Sequence, residues 1–452
     1  MTWQPKLNSN KLGYKTLAAA LIQDISQGLL AAGAPLPTIR ALAQQLNITP
    51  TTVSRAYRSA ERQGYLVSRV GKGTFVAGTQ DLNAVIQAGQ SLCNLSIIQP
   101  LVELVQPEFD HAMASFGEQN MPSTVLTYPD EHSLMPYQHI ACQWLQSLGI
   151  QAQHPAQLVF THGAQHALYL LIESLTEVGD KIALEQWVYP GALAICQQLG
   201  RQAVAIKLDE YGMCPDSLAQ ACDSHDIKLV LVVSSYQNPT AAVMPNKRRK
   251  AIAKVVKQYR LWLVDDDIYG FLNQGKYQAL YNLVPERCFS VVSLSKAVLP
   301  GLRIGFIYGP ARYTNQLNSN IRANIWMCSG ISLAIMARLW QQNLLAKMML
   351  KQIVEAQQRQ KIMREVLGEW QIDSQLHSFH CWLHLPGPWS SERFRQAAKS
   401  QGVIVSSAPY FCVNKQHPPA AVRLSLMAPT SQKVLRQGLT ILSELLKNND
   451  IY

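Results

Sequence analysis

At 452 residues the chain exceeds one ordinary domain, and two or three are expected. With 48% hydrophobic and 15% charged residues it can bury a large core, which excludes the disordered class. Its apolar runs, such as Leu229–Val233, fall far short of a membrane span, and its nine scattered cysteines, with no C-x-x-C pair, argue against a disulfide framework or structural zinc. The start, Met1-Thr2-Trp3-Gln4-Pro5-Lys6, lacks the charged and apolar regions of a signal peptide, so a cytoplasmic location is expected. The net charge of +11 is unevenly spread: residues 1–78 hold nine Lys/Arg against two Asp/Glu, the remainder 31 against 27. Such a concentration is the footprint of a phosphate-backbone partner, although many solvated surfaces are also basic.

Apolar residues recur at helical spacing from Leu17 to Leu30, and Gly33 and Pro35 stop the pattern. A second short helix is predicted from Thr38 to Leu46, with Ile39, Leu42, Ala43 and Leu46 on its inner face. Asn47-Ile48 makes a tight turn. Thr49 then suits an N-cap and Pro50 the first position of a third helix running to about Gln63. Two helices joined in this way fit a helix-turn-helix. The third would carry Thr51, Thr52, Ser54, Arg55 and Arg58 outward, where short hydroxyls and arginines reach base edges and phosphates, with Val53, Ala56 and Tyr57 packed inward. Tyr65–Arg69 and Gly73–Ala77 alternate like two strands, and Val70–Gly73, with Lys72, makes the tip of a wing. A small interaction module with a solvated basic face would read similarly.

The blocks Leu36–Ala43, Thr52–Tyr57, Gly64–Leu66 and Gly71–Val76 resemble the GntR winged-helix family in order and spacing. That resemblance implies binding to double-stranded operator DNA through Arg40, the start of the third helix and Lys72. Pro50 stands where many members carry Arg, so one contact of the family is lacking and the operator sequence does not carry over.

Gly78 to Gln90 lacks strong periodicity and reads as a linker; the expected organisation is a domain over 1–78, a linker over 79–93 and a second domain over 94–452. Beyond it, helical stretches alternate with β-rich runs at 158–160, 181–184, 203–208, 229–234, 261–264, 289–294 and 303–308. Strands separated by helices predict an α/β domain with a mainly parallel sheet, whose ligands bind beyond the carboxyl ends of the strands. The residues there form a set. Thr161-His162-Gly163-Ala164-Gln165 opens a helix, whose free N–H groups can hold a phosphate. Ser234–Thr240, Asp265–Gly270 and Ser293–Lys296 follow three further strands, and Arg303 comes seven residues after Lys296. Each has a plain alternative: a solvated lysine, an acidic turn or metal hint, an Asn-Pro-Thr turn. Together they supply an amine for a Schiff base, a carboxylate for a pyridine nitrogen, and donors for a phosphate: the needs of an aromatic aldehyde phosphate.

Residues 95–447 resemble the class I, fold-type I aminotransferases, and their pairing with a GntR head resembles the MocR subfamily of regulators. The resemblance implies pyridoxal 5'-phosphate as cofactor, an α/β fold with a smaller C-terminal subdomain, and a homodimer. By likeness, Lys296 is the Schiff-base lysine and Asp266 the partner of the pyridine nitrogen. Tyr269 and Asn238 would bond the ring oxygen. Ser293, Arg303 and the Gly163-Ala164-Gln165 turn would hold the phosphate. Tyr189 would stack on the ring, and Tyr128 would reach the neighbouring subunit's phosphate. Arg423 would clamp a carboxylate of the substrate or effector. Ala241 departs from the family's Asn-Pro-Thr-Gly, and Ser133, Tyr137 and Gln138 replace its usual Gly and Leu-Arg. Two functions share this pocket: a regulator sensing the cofactor or an amino compound, and an active aminotransferase with an accessory DNA-binding head. The basic winged helix favours the regulator, with slow transamination left open.

Overall fold

The computed structural model describes residues 3, 5, 13–26, 30, 34–62, 65–69, 73–76, 92–118, 122–128, 130–414 and 418–447, in two compact units. One holds residues 1–82 with 414–418, the other 83–413 with 419–452. Most of the expected linker lies outside the described residues.

The small unit contains α1 (Tyr14–Ser26), α2 (Ile39–Leu46), α3 (Pro50–Arg62), and the antiparallel pair β1 (Leu66–Arg69) and β2 (Gly73–Val76). The turn between α2 and α3 is set by side-chain and backbone caps. Thr38 accepts the Ala41 N–H at the start of α2, and Asn47, at φ 50°, closes its end onto Ala43 and Gln44. Thr49 then accepts the Thr52 N–H at 3.3 Å, as its N-cap role requires. Leu17, Leu21, Leu42, Val53, Ala56, Tyr57, Ala60, Leu66 and Val76 form the core. The wing has a third strip that periodicity does not reveal: Pro35 bridges Phe75, and Leu36 N–H donates to the Thr74 carbonyl.

The large unit is built on a seven-stranded sheet. Its strands are β3 (Leu158–Thr161), β4 (Lys181–Glu185), β5 (Gln202–Ile206), β6 (Ile227–Val232), β7 (Trp262–Asp266), β8 (Cys288–Ser293) and β9 (Gly305–Tyr308), in the order β3-β9-β8-β7-β6-β4-β5. Only β9 runs against its neighbours, so the mainly parallel sheet is as expected. Its central strands are apolar almost without interruption because both faces are covered: Leu263, Val230 and Val232 belong to one core cluster, Val264, Leu229 and Leu231 to another. A smaller antiparallel sheet follows, with strands β10 (Ile372–Asp373), β11 (His380–His384), β12 (Ser406–Ser407) and β13 (Ala421–Ser425). The first described strand of this unit, Cys93–Asn94, pairs in parallel with Val403–Ile404, tying its start to this C-terminal part. Among the described residues no helix is long and apolar enough to cross a membrane.

Candidate functional site

In the small unit α3 presents the expected face. Thr51, Arg55 and Arg58 are exposed, Thr52 and Ser54 half-buried, and Val53, Ala56 and Tyr57 buried. Tyr57 fixes the helix to the segment that leads into α2 by donating to the Pro37 carbonyl at 2.9 Å. The Arg55 guanidinium lies 4.2 Å from the centroid of the Tyr14 ring, so its planar fork is held by α1 before any ligand arrives. The Thr52 hydroxyl sits 2.9 Å from that of Thr49, which draws it toward the cap. Arg40 is exposed at the start of α2. Lys72 lies outside the described residues.

In the large unit the predicted residues gather where β3, β6, β7 and β8 end. After β3, Gly163 turns the chain at φ 83° into a helix, α4 (Ala164–Leu175), that has no side-chain cap, so its first N–H groups stay available to an anion. The glycine is needed for space as well: a Cβ there would come within 2.5 Å of Arg303 Nη2. Arg303 donates to the His162 carbonyl at 3.0 Å and to Ser295 Oγ at 3.4 Å, which sets a guanidinium beneath that helix start. Gln165 and Tyr189 converge on Gly191, whose missing side chain leaves room for both.

Ser293 ends β8 and opens the turn that bears Lys296. Its hydroxyl donates to the Ile304 carbonyl at 3.0 Å and accepts the Ser295 N–H at 3.1 Å, which shapes that turn. Ser295, passed over in the sequence, is the hydroxyl against Arg303; its place one residue before the lysine was the available signal.

Lys296 and Asp266 lie near enough at the end of the sheet for their charges to act on one another. The lysine amine donates to the Ile98 carbonyl. Burial, and then the Arg423 and Arg303 charges, lower its pKa to about 8. Burial and the neighbouring Asp267 raise Asp266 to about 7, with Lys296 opposing them. Asp266 Oδ1 is buried without a hydrogen-bond partner. Arg423, on β13, donates to Asn238 Oδ1 at 3.1 Å, to Ser406 Oγ at 3.1 Å and to the Ser96 carbonyl, and lies 5.1 Å from the Phe411 ring. With Asn238 Oδ1 engaged there, the NH₂ end of that amide is left to donate. Tyr269 is buried beside these groups, its phenol pushed up by burial.

Two supports were not legible. Gln237 is a buried hub: its amide nitrogen donates to Glu185 at 2.8 Å and to the Trp187 carbonyl at 2.6 Å, and its amide oxygen accepts from Thr240, so it holds Asn238 in place. His380, buried and lowered to about 3 by desolvation, is neutral, and its Nε2–H can donate to the Gln237 carbonyl 2.9 Å away. Tyr128 is not brought to the pocket of its own chain; it is 78% exposed, its ring 5.9 Å from that of Trp326. The departures near Asp130 have structural uses: Asp130 caps the Glu131–Ser147 helix through the Ser133 N–H, and Gln138 donates to the Leu158 carbonyl on β3.

Residues 90–442 match the family model for aminotransferase class I and II, and residues 13–76 match that for bacterial regulatory proteins of the gntR family. The chain is 30% identical to an uncharacterised HTH-type transcriptional regulator, YdeF, of Bacillus subtilis strain 168, over 99% of this chain and 97% of that one. It is 26% identical, over 63% of each chain, to the HTH-type pyridoxine biosynthesis transcriptional regulator PdxR of Corynebacterium glutamicum. An archaeal alanine:glyoxylate aminotransferase of known structure superposes with a TM-score of 0.74, 22% identity, and coverage of 80% of this chain and 92% of that one.

Proposed function

The chain belongs to the aminotransferase class I and II family and carries a gntR-family head, and on that premise we propose that it is a transcription regulator whose large unit senses pyridoxal phosphate or an amino compound. The observation that carries this reading is the union in one chain of an exposed Thr51–Arg55–Arg58 helix face with a half-buried Lys296 beside a buried Asp266.

The family implies pyridoxal phosphate, and the residues present fit it. A buried carboxylate oxygen of Asp266 lacks a partner, and Gly163 keeps a side chain out of the space above Arg303. Bound there, the group supplies an aldehyde for imine formation and an aromatic ring that accepts negative charge. The chain's own residues do the rest. With its pKa near 8, Lys296 offers an appreciable share of neutral amine at neutral pH, where an ordinary lysine offers almost none. Asp266 holds a proton on a ring nitrogen, which in turn restores its own charge. Ser293, Arg303 and the Ala164–Gln165 N–H groups would hold a phosphate, with Ser295 beside Arg303 as a further donor. Asn238 and Tyr269 donate to the ring oxygen, and Tyr189 covers the ring. Arg423, already oriented by Asn238 and Ser406, meets an effector's carboxylate with little reorganisation.

A homodimer is part of the proposal. Leu126, Tyr128, Trp326 and Ile331 are large apolar side chains exposed on one surface: Tyr128 touches Trp326, and the Val125 backbone abuts Gly330. A second copy would cover them and bring its Tyr128 to the partner pocket. A second reading, transamination, is favoured by the complete amine, carboxylate and Arg423 set. The deciding experiment is gel-shift binding of the full chain to its own upstream region, with and without pyridoxal phosphate and amino acids, beside an assay of amino-group transfer. Cofactor-dependent DNA binding with slow or absent turnover supports the regulator; turnover with unaltered DNA binding supports the enzyme.

A further inference from the structure

Outside both candidate sites, one helix of the large unit, α5 (Asn246–Gln258), has an unusual charge balance. Residues 79–452 hold 31 Lys/Arg and 27 Asp/Glu. This helix alone supplies six Lys/Arg and no acid, so the rest of that stretch has 25 against 27. The positive excess of the large unit is therefore a property of one helix.

The six cations divide by contact. Arg249 is buried, donating to the Met244 and Ser234 carbonyls, and Arg248 pairs with Asp209 at 2.6 Å. Lys247, Lys250, Lys254 and Lys257 remain; all are exposed, and none has an ion pair among the described residues. Their spacing of three, four and three places them on one helix face, opposite Ile252, Ala253, Val255 and Val256, which anchor the helix to the core. The row spans about 15 Å at the usual helical rise. Exposed Arg260 lies just beyond its end and exposed Lys276 in a neighbouring loop. Asp223, on the adjoining helix, is engaged by the Tyr259 hydroxyl at 2.7 Å.

We propose that this lysine row is a second DNA-binding surface, which holds duplex phosphates independently of sequence while the winged helix reads the operator. The inference rests on the DNA-binding reading of the small unit. Charge complementarity selects the occupant: about one phosphate per 1.7 Å of duplex axis faces four cations that have no acidic partner. A row without aromatic or apolar side chains offers little to a protein partner, whose interface would need an apolar centre. Flexible ammonium groups on one face suit backbone phosphates rather than base edges.

The test uses the full chain and a duplex of about 100 bp selected by that chain from a random library. Lys247, Lys250, Lys254 and Lys257 are changed together to Gln, and a charge-matched control changes the exposed Lys361, Arg364, Lys399 and Lys433 to Gln. Affinity is measured over a range of salt. The row variant should lower the slope of log K against log salt by about three to four, near 0.9 per lost phosphate contact, and the control by less than one. Thermal melting should match wild type for both, since all eight side chains lie at the surface. Equal slopes for the two variants would overturn the second surface, leaving the winged helix as the DNA contact. A wild-type chain that binds no duplex at any salt would overturn the DNA-binding reading as well.

Discussion

The two units carry function in opposite ways. In the small unit the candidate DNA-facing groups are side chains on the outer face of a helix whose inner face is an ordinary apolar core, so function and stability would occupy different faces. In the large unit the chemistry lies inward: Asp266, Asn238 and Arg423 are buried and Lys296 half-buried among strand ends, and several of their bonds reach parts of the chain far away in sequence. A surface function can be altered without harm to the fold. A buried one stores its cost in the protein, because an ionised group removed from water is stabilised only by a partner.

The contrast is tested most severely at Lys296. Lys296→Ala should abolish covalent attachment of the cofactor, read as complete loss of the borohydride-fixed label on that peptide, while the winged helix keeps its sequence-independent DNA affinity. Label surviving on another lysine would show that the pocket has been misplaced. In the wild type, labelling should quicken about tenfold per pH unit below about 8 and level off above it, because the reactive form is the neutral amine.

Next in size is Asp266, where one residue should show opposite effects with and without ligand. Asp266→Asn should weaken cofactor binding by about 10²–10⁴-fold, the range for breaking one side of a buried charge pair. The cofactor-free protein should instead become more stable. Its folded pKa, near 7, lies above the 3.8 of a free carboxyl, so folding costs energy wherever the group is ionised in the unfolded chain. That cost is fully present above pH 7, shrinks as pH falls toward 4 and is absent below it; it amounts to at most about 4 kcal/mol. Urea midpoints of the cofactor-free wild type and variant at pH 8 and pH 5 check the sign. A variant less stable than wild type at pH 8 would mean that the buried carboxylate is held by bonds beyond those described.

Arg55→Ala is the counterpart on the small unit. Loss of one phosphate contact should lower the salt slope by about one, while loss of the Tyr14 stack costs no more than about 1 kcal/mol of stability. Calorimetry and gel shift on the same preparation separate the two effects. A large fall in melting temperature would show that here, too, binding and folding share a residue.

How much the sequence revealed follows the same division. Helix periodicity and the Thr49-Pro50 cap suffice for α3 because its signals are local, whereas the Pro35–Phe75 bridge is not local and was missed. In the large unit the strand-end motifs are enough to bring Lys296, Asp266 and Arg303 to one edge of the sheet. What holds them was hidden: the Ile98 and Ser96 carbonyls, 198 and 327 residues from the lysine and arginine they receive, and the Gln237 hub, which ties its own loop to Glu185 and Trp187 at the end of β4. For Ser293, spacing reports where the hydroxyl sits and not which carbonyl it serves.

The smallest effect is expected at Ala241, and it tests whether the large unit also carries strain in its backbone. The family motif places Gly after Asn-Pro-Thr, and here Ala241 adopts φ 63°, in the left-handed region that favours glycine. The conformation is enforced locally: the Ala241 N–H donates to the Gln237 carbonyl at 2.6 Å, and the Gln237 N–H to the Ala242 carbonyl at 2.8 Å, closing a tight loop around the residues that bear Asn238. A left-handed non-glycine residue costs about 1–2 kcal/mol, whereas glycine adds roughly 0.5–1 kcal/mol of chain entropy to be lost on folding. Ala241 is 1% exposed, so removing its methyl group forfeits a small packing gain as well. These terms leave Ala241→Gly about 0.5 kcal/mol more stable than wild type, with cofactor affinity unchanged, because the loop keeps the same path. Denaturant midpoints resolve a difference of that size. A destabilisation of about 1 kcal/mol or more would mean that the methyl contact outweighs the strained φ, and that this chain has repacked the loop around its alanine.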